Sequence, residues 1–399
     1  MSVLQSRNCR LFFRGQAISL IGTWMTQTAS LWLVYQLMNS SLYLGLIGFI
    51  EQIPSFILVP FTGGLIEQGN RRQILLITQS LSMFHALILA LLVWWQAVHL
   101  EHLIILGLFK GVVNAFDITA RQVFIAEMIE DKADLGQAIG INALIISSAR
   151  LLGPGIAGIL IASVGVGVCF FIDGISYLAA IIALLGIKIT SKSLTKTFTS
   201  PWQRFKDGLN YVIHNSPLRS ILSLLALISF LAASYPTLMP IFAKEVLLGS
   251  SDTLGFLLAC AGIGSLAGSL YLSQYKNRMK LPSILIFSTI GLGFSLIGFA
   301  QSKALWLSLI MMFGVGFCLV LQVAISNTLI QTLVADNRRG IVMSLFTLAY
   351  IGITPFGNLF VGEVASKLGV SYTLTINGIL CLLGLIIVKK QLPNLSKLE

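Results

Sequence analysis

The sequence predicts an all-α membrane protein of twelve transmembrane helices, arranged as two pseudo-symmetric six-helix bundles. Three observations lead to this fold class: a high apolar content, a series of long apolar segments, and an alternation of positive charge between their connections. Of the 399 residues, 56% are hydrophobic and only 10% are charged, whereas a soluble domain usually carries about 25% charged residues. So few charges could not cover the surface of a water-soluble protein of this size.

Twelve apolar segments are long enough to cross the hydrocarbon core of a bilayer, which takes about 20 residues in a helix. Helices are expected because each one satisfies its own backbone hydrogen bonds within lipid. The first segment is too long for the apolar part of a signal peptide, so it is read as a retained helix. The segments cover residues 11–38, 42–66, 73–97, 102–121, 136–164, 166–187, 217–244, 252–275, 282–300, 303–330, 340–365 and 370–390.

Lysine and arginine indicate the orientation, because cytoplasmic loops of membrane proteins carry an excess of both. If the N-terminus is cytoplasmic, only Lys244, Lys303 and Lys367 of the 26 Lys and Arg residues fall in outer loops. Lys110 and Arg150 lie within segments, and all the others fall on the cytoplasmic side. We therefore expect a multi-pass protein of the cell inner membrane with both termini in the cytoplasm.

The longest polar stretch lies midway along the chain and predicts a boundary between two halves. Residues 1–187 would form the N-terminal six-helix bundle, 188–216 a cytoplasmic linker, and 217–399 the C-terminal bundle. In the linker, Trp202, Phe205, Leu209 and Val212 recur at helical spacing, which favours an amphipathic helix on the membrane surface; a plain solvated linker is the alternative.

Weak internal repeats support a duplicated unit, a common plan among transporters. Gly153-Pro154 in segment 5 corresponds to Thr354-Pro355 in segment 11, and a basic connection follows both segment 2 and segment 8. Gly153 permits a close helix approach and Pro154 predicts a kink.

The connection after segment 2 resembles the G-x-L-a-D-r-x-G-r-[KR] signature of the major facilitator superfamily. It reads Gly64-x-x-Glu67-x-Gly69-x-Arg71-Arg72, with Glu67 where the signature usually has Asp. Residues 114–122, 149–158 and 338–346 are similar to the branch that contains the enterobactin exporter and the macrolide efflux proteins, although Thr119 stands where that branch usually has Pro.

This resemblance covers essentially the whole chain and implies a rocker-switch exporter, usually driven by protons, in which two bundles pivot about a central cavity. Segments 1, 4, 7 and 10 would line that cavity. It also implies a cytoplasmic gate, for which the candidates are Gly64, Glu67, Arg71, Arg72, Asp117 and Arg121.

Segment 4 carries Lys110, Asn114, Asp117 and Arg121 at steps of four, three and four residues, which places all four on one helix face. A charge at the bilayer centre is costly and needs a reason. Lys110 could offer a cation to an anionic substrate group. Asp117 and Arg121 could belong to the gate, or they could form an intrahelical pair that only anchors the helix end.

Arg150 lies midway along segment 5 and needs a partner, because a buried arginine never loses its charge. Glu51 in segment 2 and Asp173 in segment 6 are the acids well inside segments. Either could pair with Arg150 or carry a coupling proton, since an apolar environment makes a carboxylate easier to protonate. A satisfied structural carboxylate is the alternative for both.

Neutral polar residues complete the candidate substrate site. Segment 1 carries a polar face suited to a water-filled cavity or to helix–helix contacts; it comprises Gln16, Ser19, Thr23, Thr26, Gln27 and Ser30. The predicted substrate or cavity contacts are Thr23, Gln27, Lys110, Asn114, Arg150, Tyr235, Gln322 and Asn327.

Several classes of protein are disfavoured. The five cysteines form no CxxC pair, and no HExxH, GxSxG or GxxxxGK[ST] motif occurs, so we expect no metal, no cofactor, no ATPase and no enzyme. No basic patch with interleaved aromatics points to nucleic acid. The sequence therefore predicts a monomeric exporter in the lipid bilayer that moves a small organic molecule, such as a siderophore or a drug, in exchange for protons. An uptake carrier or an uncoupled facilitator on the same fold is the alternative. A non-transporting scaffold or a membrane enzyme is disfavoured.

Overall fold

The computed structural model describes residues 3–129, 134–187, 201–275, 281–335 and 338–389, and within them the chain is helical, with no β-strand. The helices are α1 Arg7–Met38, α2 Ser41–Gln68, α3 Arg71–Trp94, α4 Leu100–Met128, α5 Leu135–Val164, α6 Val166–Gly186, α7 Pro201–His214, α8 Ser216–Leu231, α9 Ser251–Gln274, α10 Leu281–Gln301, α11 Leu305–Leu333, α12 Arg339–Thr347, α13 Thr354–Leu368 and α14 Val370–Lys389.

Eleven stretches of the described residues are long and apolar enough to cross a membrane: α2 to α6, the stretch Ser216–Val246 that begins with α8, α9, α10, α11, the stretch Arg339–Leu368 that joins α12 and α13, and α14. Helix α1 is 32 residues long but carries more polar residues, and it falls outside this group. With α1 as the remaining span, the predicted all-α membrane fold of twelve transmembrane helices is confirmed.

Two of the spans are interrupted where proline removes a backbone donor. In segment 7, α8 ends at Leu231, and a 3₁₀ turn Tyr235–Leu238, a helical turn Met239–Ile241 and a π-helical turn Phe242–Val246 complete the crossing. The break frees the Leu231 carbonyl, which accepts a hydrogen bond from Asn377 Nδ2 at 2.9 Å. Segment 11 has a π-helical turn, Leu348–Gly352, ahead of Pro355.

The chain divides into two compact units. Unit 1 comprises Met1–Met38, Ile50–Thr197 and Ser250–Ala259, and unit 2 comprises Asn39–Phe49, Phe198–Gly249 and Cys260–Glu399. This division differs from the predicted halves by two short segments, the start of α2 and the start of α9. Residues 188–200 of the predicted linker lie outside the described residues, and α7 follows them directly.

Glycine allows each of these two segments to pack within its unit. In unit 1, a Cβ on Gly255 of α9 would lie 2.8 Å from the Cα of Gly158 on α5. In unit 2, a Cβ on Gly45 of α2 would lie 2.9 Å from the Cα of Gly362 on α13. Without side chains the two backbones touch, which is the usual contact between helices in lipid.

The same packing joins α9 and α11 in unit 2 and yields a stability prediction. A Cβ on Gly264 would lie 2.0 Å from the Phe313 carbonyl oxygen, so Gly264→Ala must push α9 and α11 apart. We expect the free energy of unfolding to fall by about 1–3 kcal/mol, the usual cost of overpacking. Chemical unfolding of the purified protein in detergent measures this change.

The matched control is Gly140→Ala in α5, because nothing lies within 4 Å of a Cβ at that position. Alanine has the higher helix propensity, so this variant should be as stable as the parent protein or slightly more stable. Equal stability of both variants would contradict close packing at Gly264.

Candidate functional site

Two groups of buried polar side chains surround ionisable residues of α4 in unit 1. The first, called here the lysine cluster, comprises Lys110 with Ser82, Tyr177, Asp173 and Glu51. The second, called here the Asp117 network, comprises Asp117 with Arg121, Thr78, Gln79 and Ser19.

Lys110 on α4 is held by two hydroxyl groups from neighbouring helices. Its Nζ donates to Ser82 Oγ on α3 at 2.9 Å and to Tyr177 Oη on α6 at 3.0 Å. The amine also lies 5.1 Å from the centre of the Tyr177 ring, within the range of a cation–π interaction. The Tyr177 hydroxyl in turn lies 3.1 Å from Thr23 Oγ1 on α1. Lys110 therefore ties α4 to three other helices through neutral groups, and no ion pair to it occurs within the described residues.

Asp173 on α6 is 1% exposed and lies within electrostatic range of Lys110. Ser176 Oγ donates to its carboxylate at 3.4 Å. Helix α1 passes close by, since a Cβ on Gly22 would lie 2.6 Å from Asp173 Oδ1. A larger residue than glycine at position 22 would therefore displace this carboxylate.

Glu51 on α2 faces α4 beside Lys110. A Cβ on Gly107 would lie 3.1 Å from Glu51 Cγ, and a Cβ on Gly111 would lie 2.5 Å from the Glu51 carbonyl oxygen. Lys110 is within electrostatic range of the carboxylate, but no hydrogen bond to that carboxylate arises from the described residues. Glu51 is therefore the least constrained ionisable group of the lysine cluster.

Two participants on α3 were not predicted from the sequence. Ser82 binds Lys110 directly, and His85, which is buried, stacks on Phe109 with ring centres 6.5 Å apart. Both belong to a polar stripe, Thr78, Gln79, Ser82 and His85, with helical spacing. That periodicity is the signal in the sequence that could have identified them.

The Asp117 network joins α1, α3 and α4. Asp117 Oδ1 accepts hydrogen bonds from Thr78 Oγ1 at 2.9 Å and from Gln79 Nε2 at 2.7 Å, while Oδ2 pairs with Arg121 one turn further along α4. Ser19 Oγ on α1 donates to Gln79 Oε1 at 3.3 Å. The intrahelical Asp117–Arg121 pair, one of the two expected arrangements, is present.

The other predicted gate residues hold helix ends together. Arg71, 2% exposed at the start of α3, forms an ion pair with Glu127 of α4 at 3.3 Å. Arg72 donates from Nε and Nη2 to the carbonyl oxygens of Leu184 and Leu185 at 2.7 and 2.8 Å, where a cation stabilises the last turn of α6. The surroundings of Gly64 and the side chain of Glu67 lie outside what the structure describes.

Arg150 on α5 has an aromatic partner instead of the expected acid. Its guanidinium lies 4.8 Å from the centre of the Trp24 ring on α1, and neither Glu51 nor Asp173 forms an ion pair with it in the described structure. Gly153 permits this contact, because a Cβ there would lie 2.5 Å from Trp24 Cβ. Pro154 lies inside α5, which continues without a break from Leu135 to Val164.

The remaining unit 1 candidates differ in exposure. Thr23 contacts Tyr177 as described, Asn114 is half-buried on α4, and Gln27 is exposed on α1. Thr23 is thus the only one of the three with a hydrogen bond to a residue of the lysine cluster in the described structure.

Three predicted candidates lie in unit 2. Gln322 on α11 is fully buried, and its Oε1 accepts from Ser288 and Thr289 on α10 at 3.3 and 3.0 Å. Asn327 accepts from Gln331 on the same helix, and Tyr235 is 9% exposed at the break after α8.

Unit 2 also contains a polar contact that was not predicted. Asn358 on α13 accepts from Thr237 Oγ1 at 3.0 Å and donates to the Gly48 carbonyl oxygen at 3.4 Å. Asn358 therefore joins α13 to the broken end of segment 7 and to the start of α2.

The described residues contain no group of three or more His, Cys, Asp or Glu side chains that could hold a metal ion. The charged side chains described above for unit 1 are one amine, four guanidinium groups and the carboxylates around them. Such groups can bind ions, donate hydrogen bonds and exchange protons.

The whole chain, residues 1–399, matches the model of the major facilitator family described as "Transmembrane secretion effector". The chain belongs to this family. It is therefore a multi-pass membrane transporter and not an enzyme, and the predicted resemblance to the major facilitator superfamily is confirmed.

Relatives of this transporter include proteins named for transport or for efflux. It is 25% identical to the staphyloferrin A transporter of Staphylococcus aureus, over 93% of this chain and 92% of the relative. It is 24% identical to the multidrug efflux pump Tap of Mycolicibacterium fortuitum, over 95% and 94%. It is 19% identical to macrolide efflux protein A of Streptococcus pyogenes, over 96% of each chain.

Solved structures share the fold of the transporter. An inward-facing, unoccupied bacterial homologue of the human lysosomal transporter Spinster gives a TM-score of 0.73 at 14% identity, covering 97% of this chain and 96% of that one. An inward-facing bacterial homologue of the iron transporter ferroportin gives a TM-score of 0.70 at 16% identity, covering 97% and 98%. The major facilitator fold predicted from the sequence is confirmed.

The Asp117 network predicts a large stability effect for a small change. In Asp117→Asn the side chain keeps its shape, but it loses its charge and turns an amide N–H₂ toward at least one of its three donors. We expect the free energy of unfolding to fall by about 1.5–3 kcal/mol, the range for hydrogen bonds to a charged group. Chemical unfolding in detergent measures the change.

The exposed pair Glu363–Lys367 supplies the control, because it has the same spacing with side chains 43% and 71% exposed. Glu363→Gln should change the free energy of unfolding by less than about 0.5 kcal/mol, as for other surface pairs. If Asp117→Asn were as mild as Glu363→Gln, the network would not stabilise unit 1.

Proposed function

We propose that the transporter exports a small organic molecule, siderophore-like or drug-like, by alternating access in exchange for protons. Export is supported by the relatives, three of which are named for siderophore transport, multidrug efflux and macrolide efflux. Proton exchange is supported by the lysine cluster, where two carboxylates and one amine lie together among membrane-spanning helices. That cluster is the observation on which the proposal rests.

The charge of the lysine cluster suggests how exchange works. When both are ionised, Glu51 and Asp173 carry two negative charges against the single positive charge of Lys110, so one added positive charge makes the cluster neutral. A charge in a low-dielectric environment is costly unless it is balanced. Either a proton or a positively charged group of the substrate would supply the balancing charge.

Exchange requires that the proton and the substrate exclude each other. They do so if a substrate cation or hydrogen-bond donor binds the same carboxylate that the proton binds, because each then displaces the other. An acidic group of the substrate would not compete with the proton; it would contact Lys110 or Arg150. The proposed substrate therefore carries a basic or hydrogen-bond-donating group.

The proposed substrate contacts are those predicted from the sequence. Thr23 and Lys110 have the strongest support, since both contact the Tyr177 hydroxyl group. Arg150 lies on the ring of Trp24, the residue that follows Thr23 in the sequence. Gln27 and Asn114 are accessible enough to contact a ligand. We retain Tyr235 and Asn327 as candidates, whereas the complete burial of Gln322 favours a role in holding α10 to α11.

The orientation and the gate belong to the same proposal. We infer a monomer in the cell inner membrane with both termini cytoplasmic, supported by the positive charge of the predicted cytoplasmic loops. Residues 64–72, with Asp117 and Arg121, would then lie at the cytoplasmic ends of their helices. Their ion pairs would open and re-form as access alternates.

A transport assay tests the role of the lysine cluster. A panel of permanently cationic dyes, macrolides and iron-free siderophores is first ranked by thermal stabilisation of the purified protein. Uptake of the best ligand into inside-out vesicles is then measured with and without a proton gradient that is acidic in the vesicle lumen. This gradient corresponds to one directed into the cell across the original membrane. The parent protein should accumulate the ligand only while the gradient is present.

The variants separate coupling from binding. Asp173→Asn or Glu51→Gln should make flux independent of the gradient, and Lys110→Ala should reduce flux by about ten- to a hundred-fold, the range for losing a charged hydrogen bond. Lys367→Ala, an exposed lysine on α13, should transport normally. Gradient-dependent flux in both carboxylate variants would refute coupling through this cluster, and accumulation in the opposite direction would favour uptake.

A further inference from the structure

Helix α7 lies in unit 2 where two membrane-crossing stretches begin. A single residue, Asn215, separates it from α8, which starts the stretch Ser216–Val246. It packs against α8 and also against α12, which starts the stretch Arg339–Leu368. At 14 residues, α7 is too short to cross the hydrocarbon core itself. It therefore lies at the level where the lipid headgroups meet the ends of these two spans.

One side of α7 is fixed to the start of α12. A Cβ on Gly208 would overlap the side chain of Ile341, so the two helices approach closely at this point. Val212, one turn further along α7, is buried. The guanidinium of Arg338 lies 4.7 Å from the centre of the Tyr211 ring, within the range of a cation–π interaction. These contacts determine which side of α7 faces outward.

An adjacent side of α7 presents apolar side chains to the surroundings. Leu209 and Ile213 are 42% and 48% exposed, and their spacing of four residues places them on the same side of the helix. Asp207 and His214 are exposed on a different side. A helix with one apolar edge and a polar remainder typically lies in the membrane interface with that edge against the acyl chains.

Two cations flank this apolar edge. Lys206 is exposed and lies three residues before Leu209 and seven before Ile213, on the same side of α7. Arg219 of α8 is exposed, and its Nη1 donates to the Ile213 carbonyl oxygen at 3.1 Å. That bond uses one of the five N–H donors of the guanidinium. The surface formed by Lys206, Leu209, Ile213 and Arg219 is called here the α7 edge.

The charge of the complete sequence at this end of unit 2 favours an anionic partner. Unit 2 contains five acids, of which Glu245 and Glu363 lie toward the far ends of the spans that begin beside α7. The other three are Asp207, Asp336 and Glu399. The alternation of the spans assigns eleven cations to the α7 end: Arg204, Lys206, Arg219, Lys276, Arg278, Lys280, Arg338, Arg339, Lys389, Lys390 and Lys397.

We propose that the α7 edge binds anionic phospholipids, whose headgroups contact Lys206 and Arg219 and whose acyl chains cover Leu209 and Ile213. A zwitterionic phospholipid covers the apolar side chains equally well, but its headgroup has no net charge to attract the two cations. Each Lys or Arg near an anionic membrane surface strengthens binding about five-fold. Because α7 is also packed on α12, the bound lipid holds the start of segment 11 in place.

Hydrogen exchange of the α7 backbone amides tests this proposal. The full-length protein is placed in nanodiscs of phosphatidylcholine, either alone or mixed with phosphatidylglycerol of the same acyl chains. Phosphatidylglycerol should slow exchange in α7 by about five- to twenty-five-fold, the effect of one to two cations at an anionic surface. Raised salt should reduce this ratio, and exchange in α13, at the far end of segment 11, should not depend on the lipid.

Charge variants show whether the α7 edge is the cause. Lys206→Gln combined with Arg219→Gln should give equal exchange in the two lipids, and Lys206→Gln alone should reduce the ratio about five-fold if the double variant does not fold. The loss of the Arg219 hydrogen bond affects exchange in both lipids, so it does not change the ratio. The matched control combines Lys303→Gln with Lys367→Gln, two exposed lysines toward the far ends of their spans, and it should behave as the parent protein.

Two results would overturn the proposal. If α7 of the parent protein exchanged equally fast in both lipids, its packing on unit 2 or acyl chains alone would hold it. If the effect of phosphatidylglycerol survived the loss of Lys206 and Arg219, the headgroups would bind elsewhere. Because no transport is measured, the outcome is independent of the proposed function.

Discussion

Lipid as the surrounding solvent is the constraint on which the structure depends. A polar group inside a bilayer finds no water, so its partner must come from another part of the protein. In unit 1 this requirement draws polar groups of α3, α4 and α6 together: Lys110 binds two hydroxyl groups, and Asp117 accepts from three donors. The same contacts that satisfy these groups also fix the helices in place, so the polar residues serve packing and chemistry at once.

The backbone obeys the same constraint. Where proline interrupts segment 7, Asn377 binds the Leu231 carbonyl oxygen that the break exposes, and Asn358 and Thr237 bond each other beside it. Where the helices are unbroken, glycine lets their backbones touch, as at Gly158 with Gly255 and at Gly264 with Phe313. Helix association in lipid gains little from the hydrophobic effect, so close packing and internal hydrogen bonds have to supply it.

The sequence predicted the fold and the polar faces of α1 and α4, but not which helices those faces meet. The lengths of the apolar segments and the charges of the loops predicted twelve transmembrane spans. The four-residue spacing of Asp117 and Arg121 predicted the intrahelical ion pair between them. Spacing within one helix cannot reveal a partner on another, so the contact of Lys110 with Tyr177 and the pairing of Arg71 with Glu127 were not foreseen. Arg150 was expected beside a carboxylate and lies on Trp24, because an aromatic face also balances a cation.

A proton-exchanging carboxylate beside Lys110 is the central claim, and infrared spectroscopy tests it without a known substrate. The C=O stretching band of a protonated carboxyl group is recorded for the purified protein in lipid as the pH is varied, and the spectra are compared with those of Asp173→Asn and Glu51→Gln. We expect a band that appears as the pH falls and that is missing from one of the two variants. A band that is unchanged in both variants, or that is absent from the parent protein at every pH, would contradict proton exchange at the lysine cluster.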